Sequence, residues 1–159
     1  MNCGLRVVFD TGTLIGAAIR PTSDAERALS LALREGVVCA CDASLEQLRS
    51  CLGKSRLDRY MSRRARAAFF EMFRRNAWIC QVSASDIDKV RRACRDRKNI
   101  VVLALARAAE ADVVVSVDRD LLTRKTWHGI RIVAPADFAG RFDPKSARVS
   151  LRPPSLQFS

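Results

Sequence analysis

The 159-residue chain is long enough for one domain with a substantial core, since 48% of its residues are hydrophobic. Lys and Arg number 28 against 17 Asp and Glu, a formal net charge of +11, which favours a polyanionic partner, nucleic acid above all, over a surface that is merely basic. No run is apolar and long enough to span a membrane, and the amino terminus lacks the pattern of a secretion signal; six cysteines without a C-x-x-C pair, beside one histidine, argue against zinc and for reduced thiols in the cytoplasm.

In chain order, residues 5–9 read as a short apolar strand, interrupted by Arg6, that ends in Asp10, with Thr11-Gly12-Thr13 as a tight turn and an apolar run over 14–19. Thr22, Ser23 and Asp24 offer caps for a helix whose face carries Ala25, Ala28, Leu29, Ala32 and Leu33, and Gly36 closes it. Residues 37–41 read as a second buried strand. Asp42-Ala43-Ser44 leads into a helix carrying Leu45, Leu48, Cys51 and Leu52, which Gly53 breaks. A basic connection over 54–60 precedes a helix over roughly 63–75 capped by Ser62. A third strand is expected over 78–82, then a polar, arginine-rich segment from Ser85 to Lys98, then a helix over 100–109.

Residues 113–117 form a strand that ends in Asp118, and Asp120 opens a short helix or turn. Residues 129–133 give the last strand, and Pro135 is well placed at the first position of a closing helical turn. Strands alternating with helices predict a three-layer α/β/α sandwich with a mainly parallel sheet. The domain is expected over residues 1–142, followed by a flexible basic tail over 143–159. Asp10 and Asp118 end two strands at one edge of that sheet, the edge where such folds bind ligands, and the pair suggests a metal site. Thr11 and Ser116 offer hydroxyls to site groups or to local backbone.

Five stretches together resemble the PIN domain: Asp10-Thr11-Gly12-Thr13-Leu14, Leu45-Glu46-Gln47-Leu48, Cys94 to Asn99, Val115 to Leu122, and Ile130 to Phe138. The branch most similar is that of toxin components of bacterial toxin–antitoxin systems. The resemblance implies a Mg²⁺- or Mn²⁺-dependent ribonuclease that hydrolyses RNA phosphodiesters with acids clustered at the carboxyl edge of the sheet. It also implies an antitoxin partner and makes a homodimer plausible.

Carried over residue by residue, Asp10 and Asp118 match family acids, with Glu46, Asp96 or Asp120 completing the set. Glu46 joins Asp10 and Asp118 in the expected catalytic group, and Asp10, Asp118, Asp120 and Asp96 are the expected metal ligands. Gln47 and Asn99 stand where the family usually carries Glu and Asp, and Gly12 replaces the usual Asn. Each has a plainer reading. Gln47 with Ser44 fits a capping box, Asn99 and Asp120 fit N-caps, and Asp96 sits among Arg95, Arg97 and Lys98 as an ion-pair partner. The basic runs over 54–75 (Arg63, Arg64 and Arg66 among them) and 89–98 (Arg95, Arg97 and Lys98) are expected to meet RNA phosphates. Trp78 and Trp127 are core residues or base-stacking platforms, and His128 lies in a turn or on the surface. The alternative to an enzyme is a degenerate PIN domain that binds RNA or a protein without cleaving.

Overall fold

The computed structural model describes residues 4–94 and 97–141; Cys3, Arg95, Asp96 and the expected tail over 143–159 lie outside the described residues. Along the chain run β1 (Arg6–Phe9), α1 (Thr11–Ile19), α2 (Asp24–Glu35), β2 (Val37–Ala40), α3 (Asp42–Leu52), α4 (Arg63–Asn76), β3 (Trp78–Ile79), α5 (Ala84–Ala93), α6 (Arg97–Ala108), β4 (Val113–Val115), α7 (Arg119–Arg124), β5 (Thr126–Trp127), β6 (Ile130–Val133) and α8 (Pro135–Arg141). The strands form one sheet in the order β3-β2-β1-β4-β6-β5. Every pairing is parallel except the β5–β6 hairpin.

The largely apolar character of the inner strands, unbroken in β2 (VVCA) and β4 (VVV), follows from burial on both faces. Successive side chains of a strand point to opposite faces. Val7 and Phe9 therefore join one core with Leu14, Leu29, Leu48, Phe70, Phe73 and Phe138, beneath α1 to α4 and α8. Val8 joins the other with Val90, Ile100, Leu103, Leu105 and Leu121, beneath α5, α6 and α7. The result is the expected α/β/α sandwich.

The chain leaves β1 for β2 and β3 on one side, then crosses to β4 on the other. The strand order thus reverses between β1 and β4, and an α/β sheet binds its ligands in the crevice outside the carboxyl ends at such a point. Phe9 pairs with Val115, so Asp10 and Ser116 emerge side by side there.

Several expectations needed correction. Thr11-Gly12-Thr13 is the first turn of α1, because the Asp10 side chain accepts from the Thr13 amide and caps that helix. The polar stretch after Val82 contains the helix α5, started by a reciprocal cap in which Ser83 and Asp86 each bond the other's backbone N–H. The third strand is only two residues long, and Trp78 and Ile79 are exposed at the sheet edge. β5 was not expected; the left-handed pair His128 (φ 50°) and Gly129 (φ 81°) turns it back into β6. Trp127 is buried, and its indole N–H donates to the Leu103 carbonyl at 3.2 Å, which removes it as a stacking platform.

Gly36 does end α2, but its backbone is extended rather than left-handed. It is glycine because a Cβ there would lie 2.7 Å from the Leu5 carbonyl oxygen of β1. Arg66 also departs from its expected role. It is 2% exposed and donates to the carbonyls of Leu52 and Lys54 and to the Asp58 carboxylate, so it clamps the α3–α4 connection instead of facing solvent.

Candidate active site

Asp10 is the only buried carboxylate among the described residues, 7% exposed at the end of β1. Its Oδ1 accepts from the Thr13 amide at 3.0 Å and from the Thr13 hydroxyl, and its Oδ2 accepts from the Ser116 hydroxyl at 2.7 Å. Both hydroxyls also hold the exit of β4. The Thr13 hydroxyl accepts from the Val117 N–H at 3.0 Å, and the Ser116 hydroxyl accepts from the Asp118 N–H at 2.9 Å. This two-hydroxyl bridge fixes Asp118 beside Asp10. It is possible because β1 and β4 are in register at the point where both strands end.

Asp118 caps α7, its Oδ1 accepting from the Asp120 N–H at 2.8 Å. Its Oδ2 lies 3.2 Å from the Lys98 ammonium, contributed by the first turn of α6. A cleft of about 450 Å³ is lined by Asp10, Thr11, Gly12, Lys98, Asn99, Val117, Asp118, Arg119 and Asp120.

The electrostatics of the two acids differ. Burial pushes the Asp10 carboxyl above its ordinary value; the Thr13 and Ser116 hydrogen bonds oppose the rise, and the negative charge of Asp118 adds to it. Burial also pushes Asp118 upward. There the Asp120 N–H, the Lys98 ammonium and the Asn99 side chain outweigh it and hold the carboxyl below its ordinary value. Asp10 therefore meets neutral donors, and among the described residues no Lys or Arg forms an ion pair with it.

The remaining candidates are distributed as follows. Asp120 lines the cleft but is exposed, and the helix cap is Asp118, not Asp120. Asn99 is 3% exposed and lies inside α6, not at its cap. Gln47 does not cap α3, since it is Ser44 that reaches back to the Cys41 N–H. The Gln47 side-chain Oε1 instead accepts from the Thr11 hydroxyl at 3.4 Å. Glu46 is exposed and faces an adjoining cleft of about 550 Å³ with Gln47, Thr11 and Lys98, not the one lined by Asp10 and Asp118. Arg97 and Arg64 are exposed, and Arg63 lines a separate groove between α3 and α4. Thr13 and the Lys98–Asp118 pair escaped the sequence reading. The one signal for Thr13 was spacing: it stands three residues after a strand-end Asp, the position an N-cap side chain reaches.

A family model described as "PIN domain" matches residues 6–120, well over half of the chain. The chain belongs to the PIN-domain family. Solved structures agree in fold. The VapBC2 assembly of Rickettsia felis, bound to a DNA fragment from its promoter, contains a chain superposing with a TM-score of 0.61 at 13% identity, covering 82% of this chain and 98% of that chain. PAE2754 from Pyrobaculum aerophilum gives a TM-score of 0.61 at 14% identity, covering 86% and 88%. No curated protein sequence matches.

PIN domains are typically nucleases and generally use divalent metals. Among the described residues no three His, Cys, Asp or Glu side chains converge as a metal cluster. Asp10 and Asp118 nonetheless fit a hard dication. Mg²⁺ is commonly bound by one or two carboxylates, with waters and substrate phosphates completing its shell. Asp10 Oδ2 accepts a single hydrogen bond and keeps a lone pair. A buried anion beside a second anion is also the environment a cation relieves.

Proposed function

We propose that this PIN domain is a Mg²⁺- or Mn²⁺-dependent endoribonuclease and the toxin of a toxin–antitoxin pair. The observation that carries this reading is the buried Asp10, locked beside Asp118 at the switch point of the sheet without a cationic partner among the described residues. Asp10 and Asp118 would hold the metal, and Asp120 and Asp96 are the candidates to extend the shell. When bound, the ion supplies positive charge that offsets the charge gathering on the phosphate and makes an attacking water more acidic. Thr13 and Ser116 keep the two carboxylates in place by bonding each acid or its backbone, as the supports of metal ligands do elsewhere. Arg119 and Lys98 at the rim of the cleft, with exposed Arg97 nearby in sequence, would draw in the RNA backbone.

RNA fits the net charge of +11. The same basic surface suits an acidic antitoxin, and the VapBC2 assembly is the precedent for a partner. A homodimer and a cytoplasmic setting belong to the same reading; among the described residues no helix is long and apolar enough to cross a membrane.

One observation favours the second reading, a PIN domain that binds without cleaving. Lys98 and Asn99 both act on Asp118, so part of the acid charge is neutralised from within. Single-stranded RNA incubated with the protein and Mn²⁺ separates the two. The enzyme reading expects cleavage that EDTA stops and that Asp10→Asn or Asp118→Asn lowers by on the order of a hundredfold or more. Binding with no cleavage in any divalent ion supports the second reading, and cleavage that survives EDTA and both substitutions overturns the metal mechanism.

A further inference from the structure

Lys98 stands at a border. Its ammonium is 3.2 Å from Asp118 Oδ2, and its side chain lines both the cleft of the two aspartates and the adjoining cleft that contains Glu46 and Gln47. The side chain is 66% exposed. Its long stem springs from the first turn of α6. The other oxygen of Asp118, Oδ1, accepts from the Asp120 N–H.

We propose that Lys98 is a built-in counter-ion of Asp118 that competes with a divalent metal for Oδ2 and swings to the Glu46 side when the metal binds. The inference rests on the metal reading above. The charges argue for it. The lysine of the pair is 66% exposed and screened by water, although Asp118 is only 12% exposed, whereas a dication would attract the same oxygen with twice the charge and would have Asp10 as a second ligand. Glu46 supplies a carboxylate in the cleft to which the displaced ammonium would turn. Lys98 thereby sets a threshold concentration for metal and keeps Asp118 from standing as a bare anion next to Asp10. It is a positioning residue, since it acts through Asp118.

The test is Mn²⁺ binding by isothermal titration calorimetry at fixed ionic strength, on the wild-type protein, Lys98→Met, Lys98→Arg and Asp118→Asn. Lys98→Met is expected to bind Mn²⁺ about three- to tenfold more tightly, a range set by the modest strength of an ion pair whose lysine is exposed to solvent. Lys98→Arg keeps the charge and is expected to stay near wild type, an outcome that general loosening of α6 would not give. Asp118→Asn should abolish the difference between lysine and methionine at position 98. If wild type binds Mn²⁺ and Lys98→Met binds no more tightly, the counter-ion role is overturned while the metal reading stands. If none of the four proteins binds Mn²⁺ at millimolar concentration, both fall.

Discussion

Asp10 exists at a cost, since its charge is buried against another charge and, among the described residues, is relieved only by neutral donors. Its folded-state pKa is raised above the unfolded value. The stability it contributes is therefore complete below the ordinary carboxylate range and is lost as pH rises through the folded value. Asp10→Asn keeps an oxygen acceptor for Thr13 and removes the charge. In EDTA at pH 7 we expect it to unfold a few degrees above wild type, with the gap closing as pH falls to about 3. A thermal scan across pH checks this; a variant less stable than wild type at neutral pH would show that the hydrogen bonds to the carboxylate outweigh its desolvation. At this scale the sequence was informative where a residue ends a strand. Asp10 and Asp118 are flagged by that position, whereas Ser116 lies inside the expected strand over 113–117 and just beyond the observed β4. Thr13 was hidden because the segment around it reads as a turn by its glycine, and only the cap from Asp10 makes it helical. Lys98 was legible as a basic residue and not as a neighbour of Asp118, because the pair joins α6 to the end of β4 and no local spacing encodes that.

Elements whose cores are strongly apolar followed the sequence closely. α2, α3, α4 and α8 begin or end within a residue or two of their expected bounds, since apolar spacing and polar caps agree there. The misses share a cause. α5 has one fully buried residue, Val90, so periodicity carries little signal, while β3 and β5 are two-residue strands defined by pairing alone. Gly36 marks a place where the element boundary is set by a neighbour. A methyl group there would press on the Leu5 carbonyl, the same oxygen that accepts from the Val37 N–H at 2.8 Å. Gly36→Ala is expected to cost about 1–3 kcal/mol through strain between α2 and β1. Chemical denaturation measures it, and a change smaller than about 0.5 kcal/mol would mean the α2–β2 connection yields freely.

On the scale of the molecule, the sheet order explains why two acids more than a hundred residues apart meet. β1 lies at the centre, the chain fills one side first, and β4 returns to the other side in register with it. That logic was readable from strands alternating with helices and ending in Asp. The remainder of the acid set was not, because Gln47, Asn99 and Glu46 depend on helix rotation. The structure turns Glu46 toward a neighbouring cleft, and Asp96 lies outside the described residues. The account therefore rests on two carboxylates and the hydroxyl bridge that joins them. Its central claim, that this pair holds a divalent cation, is tested most directly by crystals grown or soaked in Mn²⁺ and measured for anomalous scattering. The account predicts an anomalous peak within coordinating distance of the Asp10 and Asp118 carboxylates. A fully resolved site with no peak there, or a peak bound only elsewhere, would contradict it.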